Sequence, residues 1–297
     1  MVNQIEKLFE RQARTWPLLA EALKGLARAE TRRLRIGRFD VFVRHIPHRV
    51  GSTTAPVDPV SVAKRRCFLC DENLPPEEEG VRFDENFTIY CNPFPIVDRH
   101  LTISHAEHRA QRIADSLGAM LDLAAALAGY FVIYNGPECG ASAPDHMHFQ
   151  AGARTLFPIE KDTAGMRGPT VPHYVRNVLL LRGSERSALI DRMNHAIELL
   201  AQATGRRTEP LLNLAVFREG GEWVAYLFPR RKHRPQVFYT GELTVSPASI
   251  DLCGIFVVPL ADDFRRITGD AIASVFREIT LPDPEFREVA ARLEGER

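Results

Sequence analysis

Between Pro144 and Ala151 the chain reads Asp145-His146-Met147-His148-Phe149-Gln150, which sets two imidazoles and a carboxamide at every second position. In an extended segment side chains two apart share a face, so His146, His148 and Gln150 would line one side and Met147, Phe149 and Ala151 the other. The second set is apolar and suits a core. The first is polar, and such a row is expensive to bury without partners. On these residues alone a structural or solvent-facing strand competes evenly with a functional one. The preceding loop, Gly140-Ala141-Ser142-Ala143-Pro144, favours function. Gly136 and Gly140 let the backbone approach a ligand closely, and successive N–H groups, with Ser142 and Asn135, can cradle phosphate oxygens. A neutral imidazole facing that cradle is a nucleophile toward phosphorus, if a carbonyl or carboxylate holds its other ring nitrogen and fixes the tautomer.

Two further clusters carry chemistry. Cys67-Phe68-Leu69-Cys70 has the spacing of half a tetrahedral zinc site, and such a site needs four ligands. A metal-free pair of buried thiols is the competing reading. A thioredoxin-like redox role lacks the βαβ context it requires. Cys91, Cys139 and Cys253 read as core residues, and His45, His48, His173 and His195 as structural ones. Phe228-Pro229-Arg230-Arg231-Lys232-His233-Arg234-Pro235 is the densest basic run. It is either a solvated loop or a set of groups, Arg231, Lys232 and His233, that reach the first half and hold phosphates.

Taken together, Tyr134-Asn135-Gly136, Gly140-Ala141-Ser142 and His146-Met147-His148-Phe149-Gln150 resemble the histidine-triad superfamily. They resemble in particular its His-x-His-x-Gln branch, which holds galactose-1-phosphate uridylyltransferase, diadenosine tetraphosphate phosphorylase and the GDP-hexose phosphorylases. Asn92-Pro93-Phe94-Pro95-Ile96, with His100 and His108, is similar to the upstream strand pair of those families. The stretch from Cys67 to Pro158 also resembles a bacterial family of unassigned activity, and the C-terminal half matches only loosely. The resemblance implies that His148 becomes covalently nucleotidylated and that Gln150 hydrogen-bonds the phosphoryl group. It implies that Asn135 lies near the phosphates and Asn92 near the ribose. Ser142 lies four residues before His146, where the transferases place their serine three before, so backbone N–H groups are expected to share its role. By the same likeness His108 and His146 would complete a zinc site with Cys67 and Cys70, with His105 as the alternative fourth ligand. The implied substrates are a nucleotide sugar or dinucleoside polyphosphate, with phosphate or a sugar phosphate as acceptor, and a homodimer is implied too. Glutamine in the third position favours transfer over hydrolysis, because an amide donates a hydrogen bond but no proton at neutral pH. A hydrolase, or a non-catalytic zinc-stabilised nucleotide-binding protein, are the alternatives.

The elements that must position these residues follow from periodicity. Gln4 to Leu26 has apolar residues at helical spacing. Arg33 to Arg44 alternates as one or two strands, Pro47 to Ala63 reads as a loop, and Cys67 to Gly80, with its acidic run, is irregular. Strands are expected at Phe87 to Cys91, His100 to Ser104 and Tyr130 to Tyr134, with a helix from Asp115 to Leu127 between the last two. After Gly165 to Pro172, a linker, come strands at Val175 to Leu181, Asn213 to Arg218, Glu222 to Pro229 and Leu252 to Pro259, and helices at Ser187 to Thr204 and Asp262 to Ile279. This order predicts an α+β protein with two histidine-triad-like halves, antiparallel sheets and flanking helices. Residues 1–164 would form the catalytic half and 165–297 the half that completes the ligand site.

Composition sets the bounds. The chain has 297 residues, 45% hydrophobic and 26% charged, enough apolar material for a core. Lys plus Arg equals Asp plus Glu at 38 each, which removes the electrostatic case for a nucleic-acid or membrane-surface binder while leaving room for a small anionic ligand. The N-terminus lacks the apolar core of a signal peptide, no window reaches the roughly 18 apolar residues of a membrane span, and five cysteines argue against a disulfide framework. A reducing cytoplasm is the expected setting.

Overall fold

Tyr130–Asn135 is buried along its whole length, and its near-continuous apolar run explains why: it lies at the middle of a sheet covered on both faces. The computed structural model describes residues 1–155 and 157–295. Its strands are β1 (Thr31–Ile36), β2 (Phe39–His45), β3 (Gly80–Arg82), β4 (Phe87–Cys91), β5 (Leu101–His105), β6 (Tyr130–Asn135), β7 (His148–Ala153), β8 (Leu179–Gly183), β9 (Leu212–Glu219), β10 (Glu222–Pro229) and β11 (Ile255–Val258). Eight of them form one antiparallel sheet in the order β3-β4-β5-β7-β6-β9-β10-β8, and β1-β2-β11 form a smaller one in which β2 and β11 run parallel. The two halves therefore meet edge to edge within one sheet, through β6 and β9, with Asn135 opposite Asn213.

Alternation along the strands sorts side chains into two cores. Phe149 and Ala151 of β7, Val132 and Tyr134 of β6 and Trp223, Ala225 and Leu227 of β10 join one, shared with helices Val2–Thr15, Leu117–Ala126 and Arg186–Thr204. Phe131 and Ile133 of β6 and Val224, Tyr226 and Phe228 of β10 join the other, under the small sheet and helix Gly269–Ile279. His148 and Gln150 alternate with Phe149, so they point to the side of the small sheet.

The long helix expected over Gln4 to Leu26 is two helices, Val2–Thr15 and Pro17–Ala27. Proline disfavours helical backbone in the residue before it, and Trp16 is extended at φ −110°, ψ 100°. Asp262 to Ile279 likewise divides into Ala261–Arg266 and Gly269–Ile279, because Thr268 caps the second helix with its side chain on the Ala271 N–H. Pro47 to Ala63 is not plain loop: it holds a 3-10 turn and two short helices, Val50–Thr53 and Pro59–Lys64. Among the described residues no helix is long and apolar enough to cross a membrane.

Candidate active site

β7 begins at His148, whose ring is 3% exposed and sits opposite Ser104 of β5. Its Nδ1–H donates to the backbone carbonyl of His146 at 2.8 Å. That bond fixes the tautomer and leaves Nε2 with the lone pair. Burial pushes the ring's pKa down to about 4, so it is neutral near pH 7. The ring lines a cavity of about 570 Å³ with Asn92, Thr102, Ser104, Ser142 and Gln150. Gln111, fully buried, clamps this corner: its Nε2 donates to the carbonyls of Asn135 and His148, and its Oε1 accepts the His148 N–H at 2.7 Å. Nothing in the sequence around Gln111 marks it.

His146 departs from the expected row. The chain turns there, with the His146 N–H on the Ala143 carbonyl, so His146 precedes the strand and its ring leaves the face shared by His148 and Gln150. Gln150 is oriented by a relay that motif spacing does not reveal. The Ile96 N–H donates to His100 Nδ1 at 3.4 Å, and His100 Nε2–H donates to Gln150 Oε1 at 3.1 Å. The Gln150 amide NH₂ is thereby left for the cleft. Burial drives the His100 pKa down to about 3, which keeps this ring a one-proton relay. Asn92 bridges back to the same strands, its Nδ2 donating to Thr102 Oγ1 and its Oδ1 accepting the Phe94 N–H, both at 2.9 Å.

Across the junction of the halves, Asn135 Oδ1 accepts from Asn213 Nδ2, the Ser249 N–H and Ser249 Oγ. Three donors on one oxygen orient the amide, with its Nδ2 toward a narrow hollow of about 50 Å³. Arg230, 1% exposed, buttresses this set: it donates to Asn213 Oδ1 and to the carbonyls of Pro247, Lys232, His233 and Ile279. Gly140 (φ +99°) and Ser142 line the hollow, and a Cβ at Gly140 would lie 2.6 Å from that of Ala248. Gly136 lies close behind, where a Cβ would meet the Leu212 carbonyl at 2.8 Å.

The basic run divides. His233 and Arg234 line the hollow; Arg234 donates to the Thr53 and Ala55 carbonyls of the first half, both at 2.9 Å. Arg231 faces a different cavity with Arg206 and Glu285, and Lys232 is held by Glu278 at 2.6 Å. The expectation that Arg231 and Lys232 reach the first half is corrected: Arg231, its N–H on the Ile279 carbonyl, lines the other cavity, and Lys232 is turned to Glu278. Two cations, Arg49 and Arg65, line the cavity with His148, and Arg49 also lines the hollow, together with Ser52, Ser142 and Gln150. Burial lowers the Arg49 pKa only to about 10, so it stays charged. Lying in a stretch read as loop, Arg49 gave no signal of its own.

Cys67, Cys70, His108 and His146 bring one ligand atom each within 4.8 Å of the others. His146 Nδ1 lies 3.3 Å from Cys67 Sγ and 3.5 Å from Cys70 Sγ, and His108 Nδ1 lies 3.2 Å from Cys70 Sγ. Separations of this size are those between ligand atoms that share one small cation. His146 Nε2–H donates to the His105 carbonyl at 2.8 Å, which frees Nδ1 to ligate. His105 itself accepts the Glu107 N–H at Nδ1 and stays outside the set. The Cys67 thiol is drawn down by His146 while burial and Cys67 push Cys70 up, the conflict expected of two thiolates with no cation between them. The group can hold a metal ion.

Two family models match successive parts of the chain: "Domain of unknown function (DUF4922)" over residues 8–153 and "GDPGP1-like, C-terminal domain" over residues 155–294. No curated protein matches it in sequence. Among solved structures, yeast Ap4A phosphorylase Apa2 in complex with AMP superposes with a TM-score of 0.61 at 17% identity, covering 94% of this chain and 96% of that one. The same enzyme in complex with Ap4A gives 0.57 at 16% identity, over 91% and 98%. The shared architecture runs through both halves, and with the His-x-His-x-Gln strand near its centre the chain has the two-half fold seen in Ap4A phosphorylase.

Proposed function

We propose that the protein is a nucleotidyltransferase that works through a nucleotidyl-histidine at His148, phosphorolysing or exchanging a nucleotide sugar or dinucleoside polyphosphate. The observation that carries this reading is the buried neutral ring of His148, its Nδ1–H tied to the His146 carbonyl, in the same cavity wall as Gln150 and Arg49. The lone pair on Nε2 attacks the α-phosphorus, the bond to the leaving phosphate breaks, and phosphate or a sugar phosphate then takes the nucleotide off the ring. Charge developing on the non-bridging oxygens would meet the Gln150 amide, the Arg49 guanidinium and the N–H groups near Gly140. Asn92 would contact the ribose, while Asn135, Ser142 and His233 border the phosphates. Both steps leave the ring as it began, so no group need shuttle a proton when the acceptor arrives ionised. That the yeast neighbours hold AMP and Ap4A on this fold supports the substrate class.

Zinc is the metal proposed for Cys67, Cys70, His108 and His146, since two thiolates and two imidazoles in tetrahedral reach suit it. Its part is structural: it would hold the turn whose His146 carbonyl sets the tautomer of His148. The test of function is incubation with donors labelled at the α-phosphate. An acid-labile adduct at His148 is expected, with turnover that requires phosphate or a sugar phosphate. Full activity in His148→Ala sinks the assignment, and metal and nucleotide binding without turnover on any donor would leave a zinc-stabilised nucleotide-binding protein.

A further inference from the structure

Strands β6 and β7 part just where the proposed chemistry begins. Their register matches Tyr130 with Ala153 and runs in step as far as Ile133 with Gln150. Continued two residues further, it would set Asn135 opposite His148, a position where two backbones can exchange N–H···O bonds. The backbone groups do point into that gap, but they meet the Gln111 side chain instead of one another. Gln111 Nε2 donates to the Asn135 carbonyl at 2.9 Å and to the His148 carbonyl at 3.0 Å. Its Oε1 accepts the His148 N–H at 2.7 Å. One amide is thus wedged between two strands.

The wedge is itself seated. Gln111 is fully buried, its N–H donates to the Pro144 carbonyl at 3.2 Å, and the Met147 N–H donates to the Arg109 carbonyl at 2.7 Å. The stretch from Arg109 to Gln111 therefore lies along the turn that leads into His148. Two residues on, the Ile113 N–H donates to Glu209 of the second half at 2.8 Å. Residues opposite each other on an antiparallel pair carry their side chains on one face, so spreading the backbones spreads the side chains. His148 borders the cavity and Asn135 the hollow, while Ser142 and Gln150 line both. An amide between the backbones adds a second hydrogen bond and its own breadth to their separation. A ladder closed without it would draw the imidazole toward the Asn135 side chain and narrow the space between them.

We propose that Gln111 is a positioning residue: its amide stands in for the missing strand pair and holds His148 and Asn135 apart to admit a phosphoryl group. It acts through the two backbones and touches no reacting atom. This rests on His148 being the nucleophile of the proposed transferase. A packing role asks only for a buried side chain of this size, whereas the wedge needs two N–H donors and one acceptor at fixed points. Gln111→Glu separates the two. Its carboxyl keeps the shape; protonated, it offers one donor and one acceptor, and ionised it turns acceptors alone against two carbonyls. Full burial raises a glutamate pKa to about 8–9, so both forms are accessible. The segments that meet Gln111 carry His148, Asp145 paired with Arg65, Arg109, Arg112 and Glu209. Wild type carries the same groups, and its own pH curve is the baseline.

The test follows adduct formation at His148 from pH 6 to 9 in the full chain, wild type, Gln111→Glu and Gln111→Met. The donors are Ap4A and ADP-, GDP- and UDP-glucose, each labelled at the α-phosphate. With the donor that labels wild type fastest, Gln111→Glu should react within about tenfold of the wild-type rate at pH 6. Relative to wild type it should fall by about thirtyfold more by pH 9, as its carboxyl ionises, with donor affinity changed less than about threefold. Gln111→Met, with no proton to lose, should be slow throughout. A constant ratio of Gln111→Glu to wild type over this range overturns the proposal, as does labelling of Gln111→Met at the wild-type rate. If no donor labels wild type, the transferase reading falls, and the wedge is judged without substrate, by the rate at which diethyl pyrocarbonate modifies His148. The ratio of Gln111→Glu to wild type should then still change by about threefold or more between pH 6 and 9; a constant ratio overturns the wedge as well.

Discussion

His100 is fully buried with a pKa pressed to about 3, against 6.5 for a free imidazole. Desolvation is the main cause, with the Arg49 charge adding to it. The unfolded chain takes up a proton at this ring below pH 6.5, and the folded chain does not. Stability from His100 is therefore fully present above pH 6.5 and is lost as pH falls toward 3. At about 1.4 kcal/mol per pH unit, the loss between pH 6.5 and 4.5 is roughly 2–3 kcal/mol, a large share of a typical folding free energy. His100→Gln keeps a donor for Gln150 Oε1 but cannot be protonated. It gives up the bond from the Ile96 N–H, which costs about 1 kcal/mol. Urea unfolding at pH 6.5, 5.5 and 4.5 should show the variant less stable at the highest pH, with the difference closing or reversing by the lowest; loss of a bound metal in acid is common to both proteins. Activity supplies a second readout: His100→Gln should stay within about tenfold of wild type, whereas His100→Leu, which frees the Gln150 amide to turn, should lose on the order of a hundredfold in kcat. Parallel stability curves, or equal activity in the two variants, would refute the relay.

Arg49→Met should lower kcat/KM by about a hundredfold or more while shifting the thermal midpoint little, since the desolvation cost of the guanidinium offsets its attraction to the Asp251 carboxylate; steady-state kinetics and calorimetry check both. Cys70→Ser, or a strong chelator, should release about one equivalent of metal by elemental analysis and lower stability by about 3 kcal/mol, roughly 5–10 °C in the melting temperature; unchanged melting would refute a structural ion. Gly140→Ala forces a left-handed backbone on alanine at φ +99° and drives a Cβ to 2.6 Å from Ala248. A loss of about 2–4 kcal/mol with reduced turnover is expected in denaturation and kinetic assays.

Local pattern made much of the site legible. Alternation across His148-Phe149-Gln150, the Gly140 turn and the Cys67–Cys70 spacing are short-range features, and each depends on backbone periodicity that any reader of the chain can apply. Boundaries at Trp16-Pro17 and Thr268 were missed although their signals, a proline and a cap, were present, because apolar spacing continues across both. The roles of Gln111, His100, Arg49 and Asn213 left no trace of that kind. Each acts through a partner far along the chain: Gln111 on Asn135 and His148, His100 on Gln150, Arg49 on the cavity, Asn213 on Asn135.

The sequence by itself determined the α+β character, the strand that bears His148 and the Cys67–Cys70 half-site, since periodicity and spacing act over a few residues and survive in any fold; His108 and His146 as partners of the cysteines were implied only by the family resemblance. Only the tertiary structure decided that the halves share one sheet through β6 and β9, that His146 turns to the cysteines, and that the Gln111 amide stands between β6 and β7. Those outcomes depend on which distant segments pack together, a choice made by the burial of whole faces and by the need of each buried polar group for a partner.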